Sequence, residues 1–267
     1  MFLKLNTPLF LILIAILVIT FFTKDNYKSV DLIMSDVLKA PVQKEVLNKN
    51  LIKFTKDSFE YELTPLYDYE ISGLVVHLMD YRWFSLSKID NAIPMDVGLI
   101  WGTNVKNKIY QNKSVTFTQD CRFLYIRWSG NLDVNMNEIS NNHLVVNKSD
   151  LEKKMKTVSV GDQIKIKGKL VNLKARYRGT SSDVGTRNVE LQSSTARDDR
   201  EGGACEIIYL EHMEILKKGN IISYYLFPCS IYTIVIMVIL NIIRFFMSFN
   251  SFYADKIIND YARPDHK

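Results

Sequence analysis

From Ile221 to Ile243 the chain runs 23 residues without an Asp, Glu, Lys or Arg. The buried helices of soluble proteins rarely avoid charge for that long. A helix needs about 20 apolar residues to cross the hydrocarbon of a bilayer. The stretch therefore reads as a transmembrane helix, and the rest of the chain must be arranged around it. Tyr224 and Tyr225 stand where an interfacial aromatic belt would lie, with Lys217 and Lys218 before them and Arg244 after. Pro8 to Phe22 is a second apolar run, short for a span but extended by Leu3 and Leu5. It ends in the bulky Ile19-Thr20-Phe21-Phe22, with no small-residue cleavage site, so an uncleaved anchor is expected rather than a signal peptide.

Two spans put both termini on one side. Lys4, Arg244, Lys256, Arg263 and Lys267 lie on that side, and Lys24, Lys28, Lys217 and Lys218 lie on the other. With the amino group added, the positive-inside rule leans toward cytoplasmic termini. The expected setting is a bacterial inner membrane, crossed twice, with the soluble part in the periplasm. Its partners would be the lipid bilayer and another envelope protein. Nucleic acid is excluded in that topology.

The averages, 47% hydrophobic and 24% charged with a mean hydropathy of −0.03, resemble those of an ordinary soluble protein. They hide the segregation of apolar residues to the ends, which leaves a polar middle of roughly 200 residues, enough for one sizeable domain. The net charge of +5 comes partly from lysines beside the anchors, so it does not by itself imply nucleic acid. The expected divisions are an anchor at 1–23, a juxtamembrane helical connector at 24–50, a β-rich domain at 51–219, a second anchor at 220–249 and a polar tail at 250–267. The connector helix rests on Val30, Ile33, Val37 and Leu38, which share one helical face, with a break at Pro41.

The middle alternates with period two. Phe59, Tyr61 and Leu63 are separated by Glu60 and Glu62, and Tyr67 to Leu78 continues as a long strand with Gly73 as a bulge or bend. Gly161 to Val171 places Ile164, Ile166 and Leu170 on one side and lysines on the other, with Gly168 interrupting. Its expected partner is Cys205 to Leu216. Val97 to Trp101 and Phe123 to Trp128 read as further strands, Thr103 to Tyr110 as a brief helix, Asn141-Asn142-His143 as a polar turn and Asp150 to Lys156 as one or two helical turns. The fold class is mainly β with short helices (α+β).

The most unusual composition lies between Tyr177 and Glu206. Arg176, Arg178, Arg187, Arg197 and Arg200 stand among Ser and Thr residues and before Gly202-Gly203. Guanidinium forks and hydroxyls suit an anion site, although Asp183, Glu190, Asp198, Asp199 and Glu201 would equally pair those arginines within a solvated loop. In an oxidising compartment Cys121 and Cys205 could form a disulfide or remain as buried thiols, while Cys229 falls within the second span. His77, Asp80, Asp90, Asp96 and His143 have the chemistry of an acid–base or metal site, but nothing in their spacing joins them. His77 reads as a structural strand residue and His143 as solvated. Trp83, Trp101 and Trp128 read as core before they read as a binding platform. No P-loop, Gly-x-Ser-x-Gly or paired-His motif is present. No catalytic residue, metal or cofactor is expected.

Val160-Gly161-Asp162-Gln163-Ile164-Lys165-Ile166-Lys167-Gly168 resembles a strand of an OB-fold barrel. The block from Tyr69 to Leu216 resembles a group of uncharacterised bacterial membrane-anchored proteins. It does so through Trp101-Gly102, Asn141-Asn142-His143, Gly161-Asp162 and Ala204-Cys205-Glu206. The first resemblance implies a partly open barrel and the second implies no activity. The expected function is a non-enzymatic, membrane-anchored binding or envelope-assembly module. One alternative is an envelope hydrolase or nuclease on an anionic substrate, with Arg178, Arg187, Arg197 and Asp198 converging on His77 or His143. The other is a nucleic-acid-binding OB module, should the domain face the cytoplasm.

Overall fold

The computed structural model describes residues 7–56, 58–81, 93–120, 122–178, 188–196, 198–199 and 205–261, with 251–261 as backbone only. The chain divides into two compact units, Asp25–Asn220 and the terminal segments Met1–Lys24 with Ile221–Lys267.

In the terminal unit, α1 (Thr7–Thr23) packs on α4 (Ile221–Tyr261). Ile221–Asn250 of α4 has a mean hydropathy of 2.3 and is long and apolar enough to cross a membrane. At 1.5 Å per residue it spans about 45 Å, whereas the 17 residues of α1 reach about 25 Å, just under the hydrocarbon thickness of a bilayer. Thr23 Oγ1 and Ser223 Oγ meet at 2.6 Å between the two helices, and the Phe21 and Phe227 rings lie 6.1 Å apart. Thr20 and Thr23 also donate to the carbonyls of Ile16 and Ile19, which satisfies hydroxyls in an apolar segment.

The larger unit is built on β3 (Phe59–Asp80), a strand of 22 residues. One edge of β3 is taken by β8 (Gln163–Tyr177), antiparallel from Phe59 to Leu74. The other edge is shared in succession by β2 (Ile52–Lys56), β1 (Val42–Glu45) and β4 (Met95–Ile100). From β4 the pairing continues to β7 (Ile139–Val145), then to β10 (Cys205–Lys217), and β10 returns to β8. The sheet is thus a ring of five strands, antiparallel except for the parallel β7–β10 pair. Strand β9 (Asn188–Leu191) hangs from β8, and β5 (Thr116–Asp120) with β6 (Phe123–Arg127) forms a separate ribbon.

Period-two alternation fills the ring. Ile71, Val97, Leu99, Leu144, Ile164, Ile166, Leu170 and Ile208 form one core, which Leu151 and Met155 of α3 (Ser149–Met155) join. Burying aliphatic side chains of this size contributes about 1.5–3 kcal/mol each. The expected pairing of Gly161–Val171 with Cys205–Leu216 is found as β8–β10. Gly168 is needed there: a Cβ at that position would lie 2.1 Å from the Tyr209 carbonyl oxygen, beside the bulge between Leu210 and His212.

Three expectations are corrected. The connector at 24–50 is not a helix: Tyr27–Ser29 and Ser35–Leu38 are 3-10 turns and Val42–Glu45 is strand β1. Its backbone bonds go to the sheet instead. Gln163 accepts from Met34 N–H and donates to Leu32 O, both at 2.7 Å, and Tyr110 donates to Val30 O at 2.7 Å. Val30 and Val37 are buried in a third core cluster. Asn141-Asn142-His143 is not a turn but the buried middle of β7, where its side chains find partners. The helix expected from Thr103 to Tyr110 is two pieces, α2 (Gly102–Lys106) and a 3-10 turn at Ile109–Gln111, separated by Lys108 with φ of 51°.

Candidate functional site

Two places on the domain concentrate charged side chains. The first is the outer face of the antiparallel run β2-β3-β8-β9. Register sets Lys53, Glu62, Lys174 and Glu190 directly across the four strands, and Thr55, Glu60, Arg176 and Asn188 in the next row. Opposite charges on facing strands attract, so the row closes into ion pairs. Lys53 Nζ lies 2.9 Å from Glu62 Oε2, and Lys174 Nζ lies 2.9 Å from Glu190 Oε1. The Lys53 hydrogen bond holds the Glu62 carboxyl below its ordinary pKa, and the Glu190 hydrogen bond raises that of Lys174. These rows line a groove of about 800 Å³, together with Phe54 and Tyr61, whose rings stack at 4.5 Å. Its cations, Lys53, Lys174 and Arg176, are matched by Glu60, Glu62 and Glu190.

Arg176 therefore lines the groove. Arg178 lies just beyond β8, where its N–H donates to Ser58 O at 2.8 Å and its guanidinium meets Glu60 at 2.9 Å. Arg187, Arg197 and Arg200 lie outside the described residues, as do Cys121, Trp83 and Asp90. The convergence of the arginines and the Cys121–Cys205 pairing rest on those positions. Trp101 is core, and Trp128 is 41% exposed.

The second place is buried. Asp96 on β4 faces His143 on β7 in direct register, and both point to the side covered by the β5–β6 ribbon. Asp96 has no exposed surface, yet both its oxygens are engaged. Oδ1 lies 2.7 Å from His143 Nδ1 and 3.0 Å from Arg122 Nη1, while Oδ2 accepts from Tyr81 OH at 2.9 Å and Gln119 Nε2 at 2.7 Å. Arg122 also donates to Ile93 O at 3.0 Å and stacks on the Tyr81 ring at 3.9 Å. Its φ of 68° at the ribbon's turn is a strained backbone state, held by these contacts. Burial pushes the His143 imidazole toward neutrality, but its hydrogen bonds to Asp96 and Cys205 outweigh it and hold the pKa up at about 9. Burial lowers the pKa of His77, which sits against Gln119. The ribbon comes this close because residue 98 is glycine: a Cβ there would meet the Leu124 methyls at 3.0 Å.

Cys205 opens β10, paired with Asn141 in the parallel β7–β10 register. Asn141 Nδ2 donates to Cys205 Sγ at 3.6 Å and to Arg122 O at 2.6 Å. The residues that assemble this cluster without any mark in the sequence are Arg122, Gln119 and Tyr81, and Asn141 is marked only within the polar Asn141-Asn142-His143 run. The one local signal is parity: Asp96 and Gly98, like Asn141 and His143, are two apart and so share a strand face. Among the described residues no group of three or more His, Cys, Asp and Glu side chains is placed to hold a metal ion.

The chain matches no protein-family model, no curated protein and no solved structure.

Proposed function

We propose that this chain is a membrane-anchored binding or assembly module whose contact surface is the groove across β2-β3-β8-β9. The observation that carries this reading is the groove itself. It is a concave face of about 800 Å³ with rows of polar side chains across four antiparallel strands, and its described lining holds no His or Cys. The lining suits a polypeptide with alternating charges better than a nucleic acid, because its acids equal its cations and a phosphate backbone needs a net positive surface. The ring of five strands, with its last two interchanged relative to chain order, supports an OB-like, partly open barrel as the scaffold. The apolar α4 and its pairing with α1 support membrane anchoring; two passes through a bacterial inner membrane, the periplasmic side and an envelope protein as partner are inferred from the two apolar runs and the charges that flank them.

The reading is tested with the full chain in native membranes. A photo-reactive amino acid at Thr55 or Asn188 should give one discrete adduct. The same probe at exposed Lys106 on α2 should give none. Equal labelling at all three positions would remove the groove as contact surface. Reporters fused after Lys218 and after Lys267 should report opposite sides of the membrane, with a cytoplasmic signal after Lys218 restoring the nucleic-acid alternative.

A further inference from the structure

We propose that Cys205 is the nucleophile of a thiol site that accepts an acyl group, with His143 as its proton partner and with Asp96 and Asn141 as positioning residues. The parallel β7–β10 register places Cys205 opposite Asn141 and Ile207 opposite His143, so that Cys205, Asn141 and His143 share one face. Cys205 is half-buried at the start of the strand. The register sets Cys205 diagonally across from His143 on that face, and Asn141 Nδ2 donates to the Cys205 sulfur at 3.6 Å. Asp96 Oδ1 holds His143 Nδ1 at 2.7 Å, which fixes the ring and leaves its second nitrogen for proton traffic. Arg122, Tyr81 and Gln119 occupy the rest of the Asp96 carboxylate, so it cannot turn away from the imidazole. A cysteine that served packing alone would have aliphatic neighbours. This one has an amide and a carboxylate-anchored imidazole.

In a Cys–His pair the nucleophilic form carries the proton on the imidazole and leaves the sulfur as thiolate. In that form sulfur attacks the carbonyl carbon of an ester or amide, and the S–C bond forms as the carbonyl π electrons move to oxygen. When the tetrahedral adduct collapses, the bond to the leaving group breaks and His143 gives that group its proton. A thioester remains on Cys205. Water then adds to the thioester while His143 takes one of its protons. The carboxylic acid departs, and the thiolate–imidazolium pair is restored.

The proposal rests on neither the groove nor the topology, and a groove that binds nothing would leave it intact. The test is p-nitrophenyl acetate added to the full chain in detergent micelles. The expected result is a burst of about one nitrophenolate per chain, with the acetyl group located on Cys205 by mass spectrometry. Acetylation at pH 7 should be at least tenfold faster than that of N-acetylcysteine. Its rate should stay nearly flat between pH 6 and 8, where an ordinary thiol gains about tenfold per pH unit. Cys205→Ala should abolish the burst, and His143→Gln should slow it at least tenfold and restore the steep pH dependence. The wild-type pH profile needs no variant, so it decides the matter even if His143→Gln fails to fold. Acetylation at the free-thiol rate, an acetyl group on Cys121 or Cys229 instead, or a Cys121–Cys205 disulfide in protein isolated without reductant would each overturn the proposal.

Discussion

Asp96 and Glu62 stand on neighbouring strands of one sheet and each faces a cation, yet the Asp96 side chain is fully buried and that of Glu62 is 43% exposed. In the groove, water competes with every ion pair, and the strand register does little more than keep like charges apart. Under the β5–β6 ribbon, water is excluded, so a carboxylate survives only because two cationic side chains and two neutral donors surround it. The same charges are decoration in one place and obligatory in the other. A sheet can therefore carry an adaptable contact face and a rigid polar cluster a few strands apart.

The largest expected effect tests the buried side of that contrast. Asp96→Ala leaves Arg122 and His143 without their shared anion, and breaking a buried pair in this way costs about 3–5 kcal/mol. A thermal melt should show a fall in Tm of about 10 °C or more, at roughly 2–4 °C per kcal/mol for a domain of this size. A loss within a degree or two would mean that water reaches the cluster.

Next is a pH effect. The folded His143 pKa of about 9 lies above the ordinary value of 6.5. Its contribution is therefore complete below pH 6.5 and is lost as pH rises toward and through 9, a loss on the order of 3 kcal/mol. Urea midpoints taken from pH 6 to 9.5 should fall across that window in the wild type and stay flatter in His143→Gln. A midpoint that rises with pH would reverse the assignment.

Tyr81→Phe should be milder, about 1 kcal/mol, because one hydroxyl donor to Asp96 is removed while Gln119, Arg122 and His143 stay. The smallest effect belongs to the groove. Glu62→Lys sets like charges across from Lys53 and Lys174. It should move Tm by no more than about 2 °C, and 0.5 M salt should erase the change. A larger, salt-resistant shift would show that the groove pairs are structural.

Some of this was legible in the residues themselves. Alternation in Phe59–Leu63 and Gly161–Val171 marked two strands, and Gly168 marked an irregularity, because period two and a missing Cβ are local properties. The buried cluster was not legible. His143 lies in a stretch, Asn141-Asn142-His143, whose composition reads as a turn, and its partner Asp96 is 47 positions away, with Arg122, the second cation on Asp96, 21 away. Only the β4–β7 register brings Asp96 to His143, and only the ribbon laid over Gly98 keeps water from the Asp96 carboxylate. The connector misled for a similar reason: its helical spacing is real, but bonds to Gln163 and Tyr110 outweighed the propensity of so short a segment.

By itself the sequence determined the apolar helix from Ile221 onward and the β character of the middle, since hydropathy and side-chain alternation are written residue by residue. The tertiary structure alone decided that the strands return to β3 in a ring, that Arg176 joins a groove of matched charges, and that Asp96, His143 and Cys205 meet. Ring closure depends on pairings across more than a hundred residues, and a buried charge is stable only where distant side chains supply its partners.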